Sequence, residues 1–111
     1  MSMEKEVTIR ICTQLIKYLL DRHAEKVVVE IKSDERYRVT VSASVTLDEE
    51  EEEKLRFYLS TRPQEIGYYY LTLVGEYGAE EELTVAAMLV DELSVGYDRE
   101  KRRLEISFRV R

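Results

Sequence analysis

The sequence predicts an α+β domain, a two-layer sandwich in which helices lie on one face of a mixed or antiparallel sheet. Apolar residues recur at helical spacing near the N-terminus, and two later stretches alternate strictly between apolar and polar residues. The segment between those two stretches again has helical spacing. The predicted order is therefore α-ββ-ααα-ββ, and residues 1–111 form one domain because no linker or repeat divides them.

The first predicted helix covers about residues 6–23. Its apolar stripe has spacings of three and four and consists of Val7, Ile11, Cys12, Leu15, Ile16, Leu19 and His23. Val7, Ile9 and Ile11 also fit a short strand, so the start of the helix stays open. We expect Cys12 to be an inert core thiol, and His23 to lie at the helix C-terminus, where the helix dipole favours a cation.

Two hairpins supply the predicted sheet. The first spans residues 26–46 with its turn at residues 33–35, and the second spans residues 93–110 with its turn at residues 98–101. Each hairpin is apolar on one face and polar on the other. We therefore expect one face of the sheet to pack against helices and the other to contact water.

Three helices are predicted between the hairpins. An acidic helix begins at Asp48 and ends before Pro63, because the residue before a proline disfavours helix. Two more helices cover residues 66–77 and 83–90. The acidic helix is expected to pack through three residues, which are Leu55, Tyr58 and Leu59.

Composition excludes several classes of function. The net charge is −6, which argues against binding to nucleic acid or to an anionic membrane, because such proteins need an excess of cations. No apolar run is long enough to span a membrane, and a single cysteine fits a reducing cytoplasm. Charged residues make up 36% of the chain, and both Asn and Trp are absent, a composition that resembles heat-adapted proteins.

The residues of familiar catalytic sites are scarce. One cysteine and one histidine exclude zinc sites of the usual kind and triads that need a second such residue. Asp91 and Glu92 are adjacent carboxylates, but at the end of the predicted fourth helix they would point in different directions. We therefore expect no catalytic residue, no cofactor and no metal.

Charge and aromatic residues indicate a surface for a protein partner. Residues 48–92 carry a net charge of −10, whereas residues 1–47 carry +1 and residues 93–111 carry +3. A basic protein surface or a regulatory factor would match the acidic segment, and a homodimer also stays open. The predicted contact residues are Tyr68, Tyr77, Glu49, Glu50 and Glu53. In the plainer interpretation, Asp48 caps a helix whose first carboxylates are stabilised by the helix dipole. Tyr69 and Tyr70 are then core aromatics, and Tyr68 beside them is partly covered.

Two stretches resemble the ATP-binding domain of the histidine-kinase-like (GHKL, or Bergerat-fold) superfamily, especially its small anti-sigma-factor kinases. Residues 15–24, followed by the strand at residues 26–31, are similar to that family's first conserved helix and the strand after it. Residues 89–95, with the final hairpin, are similar to its closing helix and last two strands. The resemblance covers most of the chain in element order and is specific in these two stretches.

The chain departs from that family at its ATP-binding motifs. Leu15 and Leu19 stand where the family has a glutamate that activates water and an asparagine that helps hold magnesium. Ser42 opens the segment where the family's adenine-binding aspartate and glycines belong, and residues 62–68 contain a single glycine where the family has a glycine-rich lid. The resemblance therefore implies a degenerate, non-catalytic member with a regulatory function. A small-ligand or nucleotide-binding protein with an altered pocket is the alternative.

Overall fold

The computed structural model describes residues 3–60 and 87–110. Two helices and four strands lie in these ranges: α1 Met3–Asp21, β1 Lys26–Ser33, β2 Tyr37–Ser44, α2 Glu49–Ser60, β3 Val90–Asp98 and β4 Arg103–Val110. The predicted helix at residues 66–77 and most of that at residues 83–90 lie outside the described residues. The predicted α+β class is confirmed.

The four strands form one sheet in the order β1-β2-β4-β3, and every neighbouring pair is antiparallel. Both predicted hairpins are present, and β2 and β4 join them at the centre of the sheet. Val39, Val41 and Ala43 of β2 lie opposite Phe108, Ile106 and Leu104 of β4. These pairs give the central strands one continuous apolar face, as the period-two alternation predicts.

Both described helices bury their apolar side chains against this face. Leu15 and Leu19 of α1, Leu55 of α2 and Ile106 of β4 belong to one core cluster, and each is at most 1% exposed. Leu59 is buried and Tyr58 is partly buried against the cluster, as predicted. Thr8 of α1 is a buried polar residue, and its hydroxyl donates to the carbonyl oxygen of Glu4 at 2.6 Å.

The ends of α1 correct the prediction for this segment. The helix starts at Met3, so residues 7–11 do not form the alternative short strand. The helix stops at Asp21, and His23 is exposed instead of lying on the buried stripe. His23 has a φ of 61°, and its N–H donates to the carbonyl oxygen of Leu20 while that of Ala24 donates to Leu19. This pair of hydrogen bonds is the Schellman motif, in which a left-handed residue ends a helix.

Val90, Asp91 and Glu92 are also placed differently from the prediction. Val90 is the first residue of β3, where it pairs with Val110, and is not helical. Asp91 and Glu92 consequently lie in a strand and not at a helix end. The apolar residues of this segment fit helical spacing, but pairing with β4 determines the strand.

Candidate functional site

The acidic end of α2 contains the described members of the predicted partner surface. Asp48 precedes the helix, and its carboxylate accepts a hydrogen bond from the N–H of Glu51 at 2.7 Å. The carboxylate of Glu51 accepts one from the N–H of Asp48 at 3.1 Å. This reciprocal arrangement is a capping box, so the predicted role of Asp48 as the N-cap residue is confirmed.

Two of the acidic residues fix α2 to the rest of the domain. Glu52 forms ion pairs with Arg56 of the same helix and with Arg99 of the β3–β4 turn. Arg56 also donates to the carbonyl oxygen of Val95 at 2.8 Å, on the edge strand β3. Glu51 lies 3.6 Å from the guanidinium of Arg22, which follows α1. The helix end is therefore tied to two other parts of the fold.

Four carboxylates of residues 48–53 are exposed: one is the capping residue Asp48, and the other three are those that the sequence predicts as partner contacts. We call Glu49, Glu50 and Glu53 the acidic surface. Glu50 pairs with Lys54 one turn later at 3.1 Å, with both side chains more than half exposed. Such an exposed pair contributes little to stability, so Glu50 remains able to interact with other cations. The other two predicted contacts, Tyr68 and Tyr77, lie outside the described residues.

The opposite face of the sheet carries a second charged cluster, which the sequence does not predict. The register of β3 against β4 shifts between Asp91 and Ser94, and Glu92 at this bulge has a φ of 53°. Because a bulge adds one residue, two successive carboxylates approach the same guanidinium. Arg109 lies 3.5 Å from Asp91 and 3.6 Å from Glu92, and Arg38 lies 3.0 Å from Glu92.

The charges of this second cluster are balanced. Arg38 and Arg109 each face a carboxylate, so the four side chains form a network that holds the bulge against β2 and β4. The hydroxyls of Ser94 and Ser107 lie 2.7 Å apart beside it. The cluster therefore has a structural explanation, because it supports an irregular strand. The sequence signal for the bulge is the interval of three between the apolar residues Val90 and Leu93.

The positions that matter for the family resemblance lie in different environments. Leu15 is 1% exposed and Leu19 is fully buried, and both pack in the core between α1 and the sheet. Ser42 lies on the polar face, opposite Val28 of β1 and Glu105 of β4. The two positions that the resemblance aligns with the family's water-activating and metal-binding residues are therefore core positions in this chain.

Cys12 and His23, the other two candidate groups from the sequence, lie in different environments. Cys12 is buried, and desolvation raises the pKa of its thiol, as expected for an inert core cysteine. His23 is exposed at the end of α1. In the part of the chain that the structure describes, no group of three or more His, Cys, Asp or Glu side chains is arranged to hold a metal ion.

Comparison of the chain with protein-family models, with curated proteins and with solved structures finds no match. Among the described helices, none combines the length and the apolar character that crossing a membrane requires.

Proposed function

We propose that the protein is a non-catalytic regulatory or protein-interaction domain, and that its acidic surface binds a basic surface of a partner protein. One observation carries this proposal: Asp48, Glu51 and Glu52 form the capping hydrogen bonds and ion pairs that fix α2, whereas Glu49, Glu50 and Glu53 are exposed on the helix that those contacts fix. A fixed group of like charges attracts an oppositely charged partner and raises the association rate.

The proposal includes descent from the histidine-kinase-like ATPase fold with loss of its chemistry. The burial of Leu15 and Leu19 supports this loss, because two core leucines can neither activate water nor bind magnesium. The proposal also retains the predicted α-ββ-ααα-ββ order, the two-layer arrangement and the cytoplasmic location. Binding to nucleic acid or to a membrane is not part of it.

A defined cationic peptide tests the acidic surface directly. We suggest measuring the binding of a fluorescent nona-arginine peptide by anisotropy at low and moderate salt. The variant Glu49→Gln/Glu50→Gln/Glu53→Gln should bind more weakly than the wild type and should depend less on salt, because it lacks the local charge.

The matched control removes the same charge elsewhere. Glu4→Gln/Glu6→Gln/Glu105→Gln changes three exposed carboxylates that lie outside the acidic surface. Under the proposal this control keeps most of the peptide binding. Equal losses in the two variants would show that only net charge matters and would contradict a localised surface.

Nucleotide binding is the competing function, and a thermal-shift measurement with Mg-ATP distinguishes it. A ligand present at 100 times its dissociation constant stabilises a protein by about 2.7 kcal/mol, which is easily detected. We expect no such shift and no ATP hydrolysis by the purified protein. A clear shift would support the altered-pocket alternative and contradict the non-catalytic proposal.

A further inference from the structure

The two edges of the described sheet differ in how well they are protected. At β3, the bulge interrupts the strand, and Arg56 donates to the carbonyl oxygen of Val95 at 2.8 Å. Both features hinder the addition of another strand. At β1, eight consecutive residues pair with β2 without a register shift. Within residues 3–60 and 87–110 no other strand pairs with the outer edge of β1, where an edge strand presents N–H and C=O groups to a further strand.

The composition of β1 also suits pairing with another strand. Its centre is Val27-Val28-Val29, and β-branched residues favour strands. Val28 is 46% exposed, although it lies on the polar face of the sheet, where its neighbour across β2 is Ser42. A second apolar side chain beside Val28 would remove this surface from water.

We propose that β1 pairs antiparallel with β1 of a second copy of this chain, in the register that places Val28 opposite Val28. The two sheets then form one continuous eight-stranded sheet around a two-fold axis. This register pairs Val27 with Val29 of the second copy on the apolar face. It also places Lys26 opposite Glu30 of the second copy, and the two-fold axis makes this pair occur twice.

Charge complementarity selects this register over its neighbours. Centring the pair on Val29 places Lys26 opposite Lys32, and centring it on Glu30 places two glutamates opposite each other. Like charges directly opposite one another destabilise paired strands. Centring on Ile31 pairs Glu30 with Lys32 but places Val29 opposite Ser33, so it loses the valine pairs that the Val28 register forms.

Sedimentation velocity of the full chain over a range of concentrations tests the proposal. The wild type should reach the mass of a dimer as its concentration rises. Lys26→Glu and Glu30→Lys should each weaken association by about tenfold, because each turns two opposite-charge pairs into like-charge pairs. The double variant Lys26→Glu/Glu30→Lys should recover most of the lost affinity, because it restores both opposite-charge pairs.

Lys32→Glu is the matched control, because it reverses a charge on the same strand and face but outside the paired segment. This variant should associate as strongly as the wild type. Val28→Lys should leave a folded monomer, with circular dichroism as the check on folding. A wild type that stays monomeric at every concentration overturns the proposal. A dimer that is insensitive to Lys26→Glu, or that is weakened by Lys32→Glu instead, overturns it as well.

Discussion

Replacing Tyr97 with phenylalanine should destabilise the domain by about 1–3 kcal/mol, because one hydroxyl satisfies two backbone groups. The Tyr97 hydroxyl donates to the carbonyl oxygen of Val45 at 2.9 Å and accepts from the N–H of Leu47 at 3.0 Å. These two bonds fasten the connection between β2 and α2 to the edge strand β3. Arg99 donates to the carbonyl oxygen of Leu47 at 3.0 Å, so the side chains of Tyr97 and Arg99 both hold this connection.

The magnitude follows from what the variant leaves behind. Phenylalanine keeps the ring but leaves a partly buried carbonyl and a partly buried N–H without their partner, and each lost hydrogen bond costs about 0.5–1.5 kcal/mol. For a domain of this size, 1 kcal/mol corresponds to about 4 °C in the melting temperature, so the expected decrease is about 4–12 °C. Urea unfolding followed by circular dichroism measures the free energy directly.

Tyr37→Phe is the matched control for this prediction. Tyr37 is also partly buried at one end of a strand, and within the described residues its hydroxyl has no hydrogen bond. Its loss should change the free energy of unfolding by less than about 0.5 kcal/mol. If the Tyr97 and Tyr37 variants lose equal stability, the assignment of the two hydrogen bonds as stabilising contacts is wrong.

Three other substitutions or measurements test the core and the end of α1. His23→Gly should stabilise the domain by about 0.5–1 kcal/mol, measured by urea unfolding, because glycine adopts a φ of 61° without steric cost. Lys17→Gly, inside the helix, should destabilise the domain by a similar amount. The Cys12 thiol should react with an aromatic disulfide only after unfolding. Burial raises the pKa of this thiol above its ordinary value, so the folded state keeps the proton at a pH where the unfolded chain loses it, and the free energy of unfolding should fall as the pH rises through the ordinary pKa of a thiol. Rapid labelling of the native protein would contradict the buried position. Leu19→Ala should lower the free energy of unfolding by about 2–5 kcal/mol. Leu20→Ala, at a side chain that is 57% exposed, should change it by less than about 0.5 kcal/mol, and similar losses at the two leucines would contradict the orientation of α1.

The sequence predicts the elements whose pattern is local. Strict alternation gives the two hairpins, and the spacing of three and four gives α1 and the packing of Leu55 and Leu59. Asp48 is predictable as the N-cap residue because an acidic residue there precedes a helical run. The acidic surface is predictable for the same reason, since the carboxylates on the outer side of an amphipathic helix face solvent.

Features that depend on distant residues could not be predicted. Val90 and Leu93 have the spacing of a helix as well as that of a bulged strand, and only pairing with β4 distinguishes the two. The contacts of Glu92 with Arg38 and Arg109 follow from that bulge. Tyr97 reaches residues about fifty positions earlier in the chain, and alternation predicts its place on the apolar face but not its hydrogen bonds.

The two proposed surfaces lie at opposite sides of the sheet, which makes them separable by experiment. α2 is tied to β3 through Arg56, whereas the dimer would form at β1, three strand spacings or about 14 Å away. A β1-paired dimer therefore leaves both acidic surfaces at the outer sides of the eight-stranded sheet, where a partner with two basic sites could bind both. Avidity would then depend on β1, whereas the affinity of one acidic surface would not. Val28→Lys should consequently leave the binding of monomeric nona-arginine unchanged and weaken binding to a surface densely coated with that peptide. If Val28→Lys weakened the binding of the monomeric peptide as well as binding to the coated surface, the two surfaces would not be independent.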